Sequence, residues 1–128
     1  MDIEAPFLAR KILVVDDDKL NLNNAMKILS PTYKVIPVPS GKMALNYLTK
    51  NVPDLILLDI LMPDMDGFEV MRQIRANEEW ADVPVIFLTA DVSPETCEKG
   101  GALGGAGFMA KPLEAARMIS GVEAVIGK

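Results

Sequence analysis

Three runs of four apolar residues stand out along the chain: Ile12-Leu13-Val14-Val15, Leu55-Ile56-Leu57-Leu58 and Val85-Ile86-Phe87-Leu88. Each is continuous rather than alternating and is bounded by polar or turn residues. Strands buried on both faces of a parallel sheet read this way. Two weaker runs complete the set. Tyr33 to Val38 contains Pro37, which cannot donate to a ladder and predicts an edge strand. Phe108-Met109-Ala110 is very short and also suits an edge.

Helical spacing falls between these runs. Leu22, Ala25, Met26 and Leu29 recur at i, i+3, i+4 and i+7, as on the apolar face of a helix. Ala44, Tyr47 and Leu48 predict a second helix starting near Ser40, and Val70, Met71 and Ile74 a third. Asp66 and Glu69 could form an acidic variant of the capping box ahead of that third helix. Ser93-Pro94-Glu95 reads as an N-cap, a first-turn proline and an acid suited to the helix dipole. Ala115, Met118, Ile119, Val122 and Ile126 form the last stripe. The order is βα repeated five times, which predicts an α/β fold with a doubly wound five-stranded parallel sheet and helices on both faces. Placing the second and fifth strands at the edges gives the order 2-1-3-4-5.

One segment departs from this plan. Five of the nine glycines (Gly100, Gly101, Gly104, Gly105 and Gly107) fall within eight residues. A glycine inside a helix costs about 1 kcal/mol relative to alanine, so the fourth helix is expected to fray beyond Lys99. The cluster does not read as a phosphate loop, because no Gly-Lys-Ser/Thr follows and it precedes a strand.

Charge and composition narrow the function. The 18 acidic and 13 basic side chains of the 128 residues leave a net charge of −5, a poor basis for nonspecific nucleic-acid binding. No apolar run approaches the roughly 18 residues of a membrane span. Met1 to Pro6 lacks the basic start of a signal peptide. The single cysteine, Cys97, suits a reducing compartment, and a cytoplasmic location is expected. The absence of histidine excludes a histidine base, nucleophile or metal ligand. The remaining chemistry rests on carboxylates, hydroxyls and lysines.

In a doubly wound sheet, ligands bind beyond the carboxyl ends of the strands, at the switch in strand order. Asp16, Asp17 and Asp18 follow the first strand, Asp59 ends the third, Thr89-Ala90 ends the fourth, and the fifth runs into Lys111-Pro112. Carboxylates brought within roughly 4–6 Å repel one another, and a hard divalent cation such as Mg²⁺ relieves that repulsion. Lys111 suits a phosphate oxygen, Thr89 could hydrogen-bond another, and an aspartate can itself be phosphorylated.

These motifs resemble the receiver domain of two-component response regulators over about residues 10–126. The resemblance rests on Ile12-Leu13-Val14-Val15-Asp16-Asp17, Asp59-Ile60-Leu61-Met62-Pro63-Asp64-Met65-Asp66-Gly67, Phe87-Leu88-Thr89-Ala90 and Phe108-Met109-Ala110-Lys111-Pro112. It implies a flavodoxin-like fold, with residues 1–9 as an N-terminal extension and 10–128 as the receiver. By the resemblance, Asp59 is the phosphoacceptor, with Lys111 and Thr89 on the phosphoryl group. Asp17 is a direct Mg²⁺ ligand, Asp16 acts mainly through water, and the Leu61 backbone carbonyl is a further ligand. Thr89 and Phe108 form the switch, and the Lys111–Pro112 bond is usually cis in such domains. The phosphoryl group comes from a sensor histidine kinase or phosphotransfer protein and reshapes the face of the fourth helix, fifth strand and fifth helix.

Two departures affect the signal. Phe108 replaces a frequent tyrosine, so no phenolic hydroxyl is available. The glycine cluster lies on the face that usually dimerises or contacts an output, which puts homodimerisation through a regular fourth helix in doubt. A haloacid-dehalogenase-like Mg²⁺ phosphatase using Asp16 is the alternative from a different class. Leu20 stands where that family has a small residue, however, and there is no room for a cap domain. A docking receiver independent of phosphorylation is a further alternative. The motifs assign no output: a stand-alone receiver and the input of a longer protein both fit, with a faint likeness to receivers attached to cyclic-dinucleotide enzymes.

Among the remaining readings, capping of the first helix alone is the lesser alternative for Asp18 or Asp17, whereas Asp64, Asp66 and Gly67 read as turn and cap residues. Trp80 is expected in a loop packing on the third helix. Cys97 reads as an inert helix residue, and most of the methionines as core filler.

Overall fold

The computed structural model describes residues 9–127. Apart from Ala9, the expected N-terminal extension lies outside them. Five strands, β1 (Lys11–Val15), β2 (Lys34–Val38), β3 (Leu55–Asp59), β4 (Val85–Thr89) and β5 (Gly107–Ala110), alternate with five helices. The helices are α1 (Lys19–Leu29), α2 (Gly41–Leu48), α3 (Gly67–Ala76), α4 (Pro94–Ala102) and α5 (Ala115–Ile126). All strands are parallel, in the order β2-β1-β3-β4-β5. The expected fold class and strand order are those observed.

The continuous runs are the central strands because both of their faces are covered. Every residue of β3 and β4 is buried, and only Lys11 of β1 is exposed. Leu13, Val15, Ile56, Leu58 and Phe87 pack with α2 and α3 residues on one face. Ile12, Val14, Leu55, Leu57 and Leu88 pack with α1 and α5 on the other. Pro37 is tolerated in β2 as expected, since that strand has only β1 beside it.

The caps follow the sequence with one change. Ser40, Asp66 and Ser93 begin α2, α3 and α4 through side-chain bonds to Met43, Glu69 and Thr96 N–H groups. Glu69, however, turns along its own helix to Arg72 and Gln73, at 3.3 and 3.1 Å. The acidic capping box is therefore half formed: neighbours one turn on compete for its carboxylate. In α5, Met118, Val122 and Ile126 are buried, whereas Ile119 is 38% exposed on the margin of the stripe.

The fourth helix also differs from expectation, running past Lys99 to Ala102. Gly100 is buried, and a Cβ there would sit 2.4 Å from Phe108 Cζ. Its missing side chain lets the helix pack directly on the aromatic ring, which offsets its poor helix propensity. Arg75 fixes the following turn: its guanidinium donates to the carbonyls of Ala81, Val83 and Gly104 at 3.0, 2.9 and 3.0 Å. Trp80 is buried beside α3 residues, as expected of its loop. Cys97 is half-buried in α4.

Candidate functional site

The carboxyl ends of β1 and β3 lie side by side, because Val15 pairs with Leu58. The residues that follow, Asp16 and Asp59, are therefore neighbours. Both are buried, at 0% and 3% exposure, while Asp17 is exposed. One carboxylate oxygen from each of Asp16, Asp17 and Asp59 can be chosen so that all lie within 4.8 Å of one another. Asp18 takes the capping role instead, accepting from the Leu20 N–H at 2.9 Å.

Gly67 sets how closely α3 approaches this cluster. A Cβ at Gly67 would lie 2.3 Å from the Asp59 carbonyl oxygen, so any larger residue would push the helix off the strand end. Its N–H donates to the Ile60 carbonyl at 2.8 Å, closing the loop that carries Leu61. Asp64 turns in the same loop with a φ of 69°, a conformation aspartate tolerates. The Leu61 side chain is 70% exposed.

Lys111 reaches in from the end of β5 and bridges two acids. Its Nζ lies 2.9 Å from Asp16 Oδ2 and 2.9 Å from Asp59 Oδ1. The Lys111–Pro112 bond is cis, as expected. One ammonium paired with two acids thus stands in a cluster of three carboxylates, and burial and charge together shift two of its groups. Burial pushes the Asp59 carboxyl up to about 6, with Asp16 and Asp17 adding to the rise and Lys111 opposing it. Burial acts to lower the Lys111 value, but its bonds to Asp59 and Asp16 outweigh this and raise it. Desolvation thus drives the shift at Asp59, and the two carboxylate partners drive the shift at Lys111.

Thr89 is buried at the end of β4, one residue beyond Leu88, the register partner of Asp59. Its hydroxyl is engaged with the β4–α4 loop, accepting from the Asp91 N–H at 2.9 Å and donating to the Asp91 carbonyl at 3.2 Å. Phe108 is half-buried and stacks on Phe87, with ring centroids 5.4 Å apart. Phe87 in turn meets Phe68 of α3 edge-on, also at 5.4 Å. An aromatic row therefore runs across the outer half of the sheet, and Gly100 packs on its Phe108 end.

The structure brings Asp16, Asp17, Asp59 and Lys111 into one cluster, and places Thr89 and Phe108 on the two strands beyond it. The oxygen-only donors suit a hard cation such as Mg²⁺, and the raised Asp59 value is what an added positive charge would reverse. The sequence reading missed Asn21, whose Nδ2 donates to Asp16 Oδ2 at 3.2 Å. Its place in the first turn of the helix after Asp16 was the available signal.

A family model described as the response regulator receiver domain matches residues 12–123. The chain belongs to that family. This receiver domain is 41% identical to a Vibrio cholerae protein named "Probable cyclic di-GMP phosphodiesterase", over 80% of this chain and 23% of that protein. Among solved structures, chemotaxis protein CheY4 of Vibrio cholerae superposes with a TM-score of 0.88 at 30% identity, covering 91% of this chain and 98% of that one. The receiver domain of DrrB, activated with BeF3, gives a TM-score of 0.83 at 28% identity, covering 94% and 99%. The chain spans less than a quarter of the length of the first curated relatives it matches, at 23%, 14% and 17%. Among the described residues, no helix is long and apolar enough to cross a membrane.

Proposed function

We propose that this receiver domain takes a phosphoryl group onto Asp59 from the phosphohistidine of a sensor histidine kinase or phosphotransfer protein. The observation that carries this reading is Lys111 Nζ, 2.9 Å from Asp59 on one side and Asp16 on the other. Asp16, Asp17, Asp59 and the Leu61 backbone carbonyl would hold Mg²⁺, Asp17 directly and Asp16 mainly through water. Bound there, Mg²⁺ supplies positive charge that offsets the carboxylates and the incoming phosphoryl oxygens.

An Asp59 carboxylate oxygen attacks phosphorus, the phosphorus–nitrogen bond to the donor imidazole breaks, and the imidazole nitrogen keeps the electron pair. The catalytic work of the chain is positioning and charge stabilisation. Lys111 leaves Asp59 and Asp16 for a phosphoryl oxygen. The Thr89 hydroxyl leaves Asp91 for another, which shifts the β4–α4 loop and changes the room available to Phe108. The added charge biases the face formed by α4, β5 and α5, the switching element in this reading.

The test is uptake of phosphate from acetyl phosphate with Mg²⁺, read by intact-protein mass. Wild type gains one phosphoryl group and Asp59→Asn gains none. Uptake by Asp59→Asn at the wild-type rate would show that another residue is the acceptor.

A further inference from the structure

Asp16 is the most buried acid of the cluster, and its oxygens are heavily used. Oδ1 accepts from the Asp18 backbone N–H at 2.9 Å. Oδ2 accepts two donors, Lys111 Nζ at 2.9 Å and Asn21 Nδ2 at 3.2 Å. Those two donors differ in what they can do. The Lys111 stem is long and its ammonium divides its protons between Asp16 and Asp59. The Asn21 amide has a short side chain in the first turn of α1, whose start is fixed by the Asp18 cap. One turn on, Asn24 Nδ2 donates to the Leu113 carbonyl at 3.2 Å, just beyond Lys111-Pro112. The same helix therefore steadies both the acid and the chain segment that delivers the lysine.

We propose that Asn21 is a positioning residue that keeps Asp16 oriented when Lys111 turns to the phosphoryl group. This rests on the proposed phosphoryl transfer to Asp59. Once Lys111 engages a phosphoryl oxygen, Oδ2 of a carboxylate with no solvent exposure would lose its charged donor. An unpartnered oxygen on a buried ion is costly, and Asn21 supplies the donor that stays. The residue type fits the task. An amide donates without adding charge, whereas a lysine or arginine at this position would compete with the cation for the same carboxylates.

The role is specific to the phosphorylated state, which makes it separable from ordinary stability. Alanine has better helix propensity than asparagine, so Asn21→Ala does not weaken α1 by itself. Asn21→Leu restores side-chain volume without a donor. Binding of Mg²⁺ alone, and of beryllofluoride with Mg²⁺, is measured for wild type and both variants, together with the unfolding midpoint of each free protein. Both variants are expected to bind beryllofluoride about tenfold more weakly, the loss of one hydrogen bond to a charged group. Affinity for Mg²⁺ alone stays within about twofold, because Lys111 still holds Asp16, and the midpoint moves by no more than about 3 °C.

Wild-type beryllofluoride affinity in both variants would overturn the assignment. So would a loss confined to Asn21→Ala, which would mark a packing role, or an equal loss for Mg²⁺ alone, which would mark a general one. Absence of beryllofluoride binding by wild type would instead remove the phosphoryl-transfer reading on which the assignment rests.

Discussion

Replacing Asp59 by asparagine should stabilise the Mg²⁺-free domain at neutral pH, although it removes one of the two ion pairs of Lys111. Burial is the main reason the carboxyl is pushed up from an ordinary 3.8 to about 6. The folded state therefore holds the Asp59 proton more tightly than the unfolded chain does. The resulting stability is fully present below pH 3.8 and is lost as pH rises through about 6. At about 1.4 kcal/mol per pKa unit, the ionised carboxylate costs up to about 3 kcal/mol at pH 7. Asparagine is neutral and close in shape, but its amide nitrogen needs an acceptor in the cluster, which reduces the net gain to about 1–2 kcal/mol. For a domain of 128 residues this corresponds to a rise in Tm of about 4–8 °C. Thermal unfolding by circular dichroism, in chelator and at a series of pH values from 5 to 8, reads the difference. It should be largest at pH 7–8 and shrink toward pH 5, and Mg²⁺ should narrow it by stabilising wild type through binding. An asparagine variant that melts at or below wild type at pH 7.5, or a pH-independent difference, would refute the reasoning.

Two further outcomes test the outer half of the sheet. Gly100→Ala places a Cβ 2.4 Å from Phe108 Cζ and should lower stability by about 1–2 kcal/mol in urea unfolding, despite alanine's better helix propensity. The loss should shrink in a Phe108→Ala background, where the approach to Phe87 Cδ2 at 3.1 Å remains, and an undiminished loss there would place the strain elsewhere. Arg75→Met removes three donors to backbone carbonyls while keeping an apolar stem, and should cost about 2 kcal/mol in the same assay. Hydrogen exchange should locate the loosening at Gly104 and the loop before β4, and an unchanged exchange pattern would count against the clamp.

The legible parts of this molecule are those where one physical demand dominates a residue's identity. Val14 and Leu57 must be apolar because both faces of a central strand are covered, so the strands and their order can be read directly. Asp16, Asp59 and Lys111 were legible because strand ends converge in this topology and fix where those side chains meet. The extent of α4 was not legible, because a glycine is a poor helix residue in isolation and a good one against Phe108. That contact joins residues eight apart across a turn, which helical periodicity does not report. Asn21 was missed for a related reason. An asparagine in the first turn of a helix is common, and only the return of its amide to Asp16 distinguishes it.

The site divides into a stiff inner half and an adjustable outer half. Asp16 and Asp59 extend strands with neighbours on both sides and, Lys11 aside, buried residues throughout, so the carboxylates have little freedom to relax apart. Their repulsion is held in place rather than dissipated, and it adds to the rise in the Asp59 value that burial mainly causes. Lys111 and Phe108, by contrast, belong to a four-residue edge strand and the loop after it, and both are half-buried. A change of charge at Asp59 would thus be answered least by the carboxylates and most by Lys111, Thr89 and the aromatic row beyond. Gly100 limits that response on one side, since the ring of Phe108 already fills the space a Cβ would take. Movement of Phe108 must then displace the end of α4 or leave the Phe87 stack. Under the proposed phosphoryl transfer, either route would carry the change from a buried carboxylate to the surface of the domain.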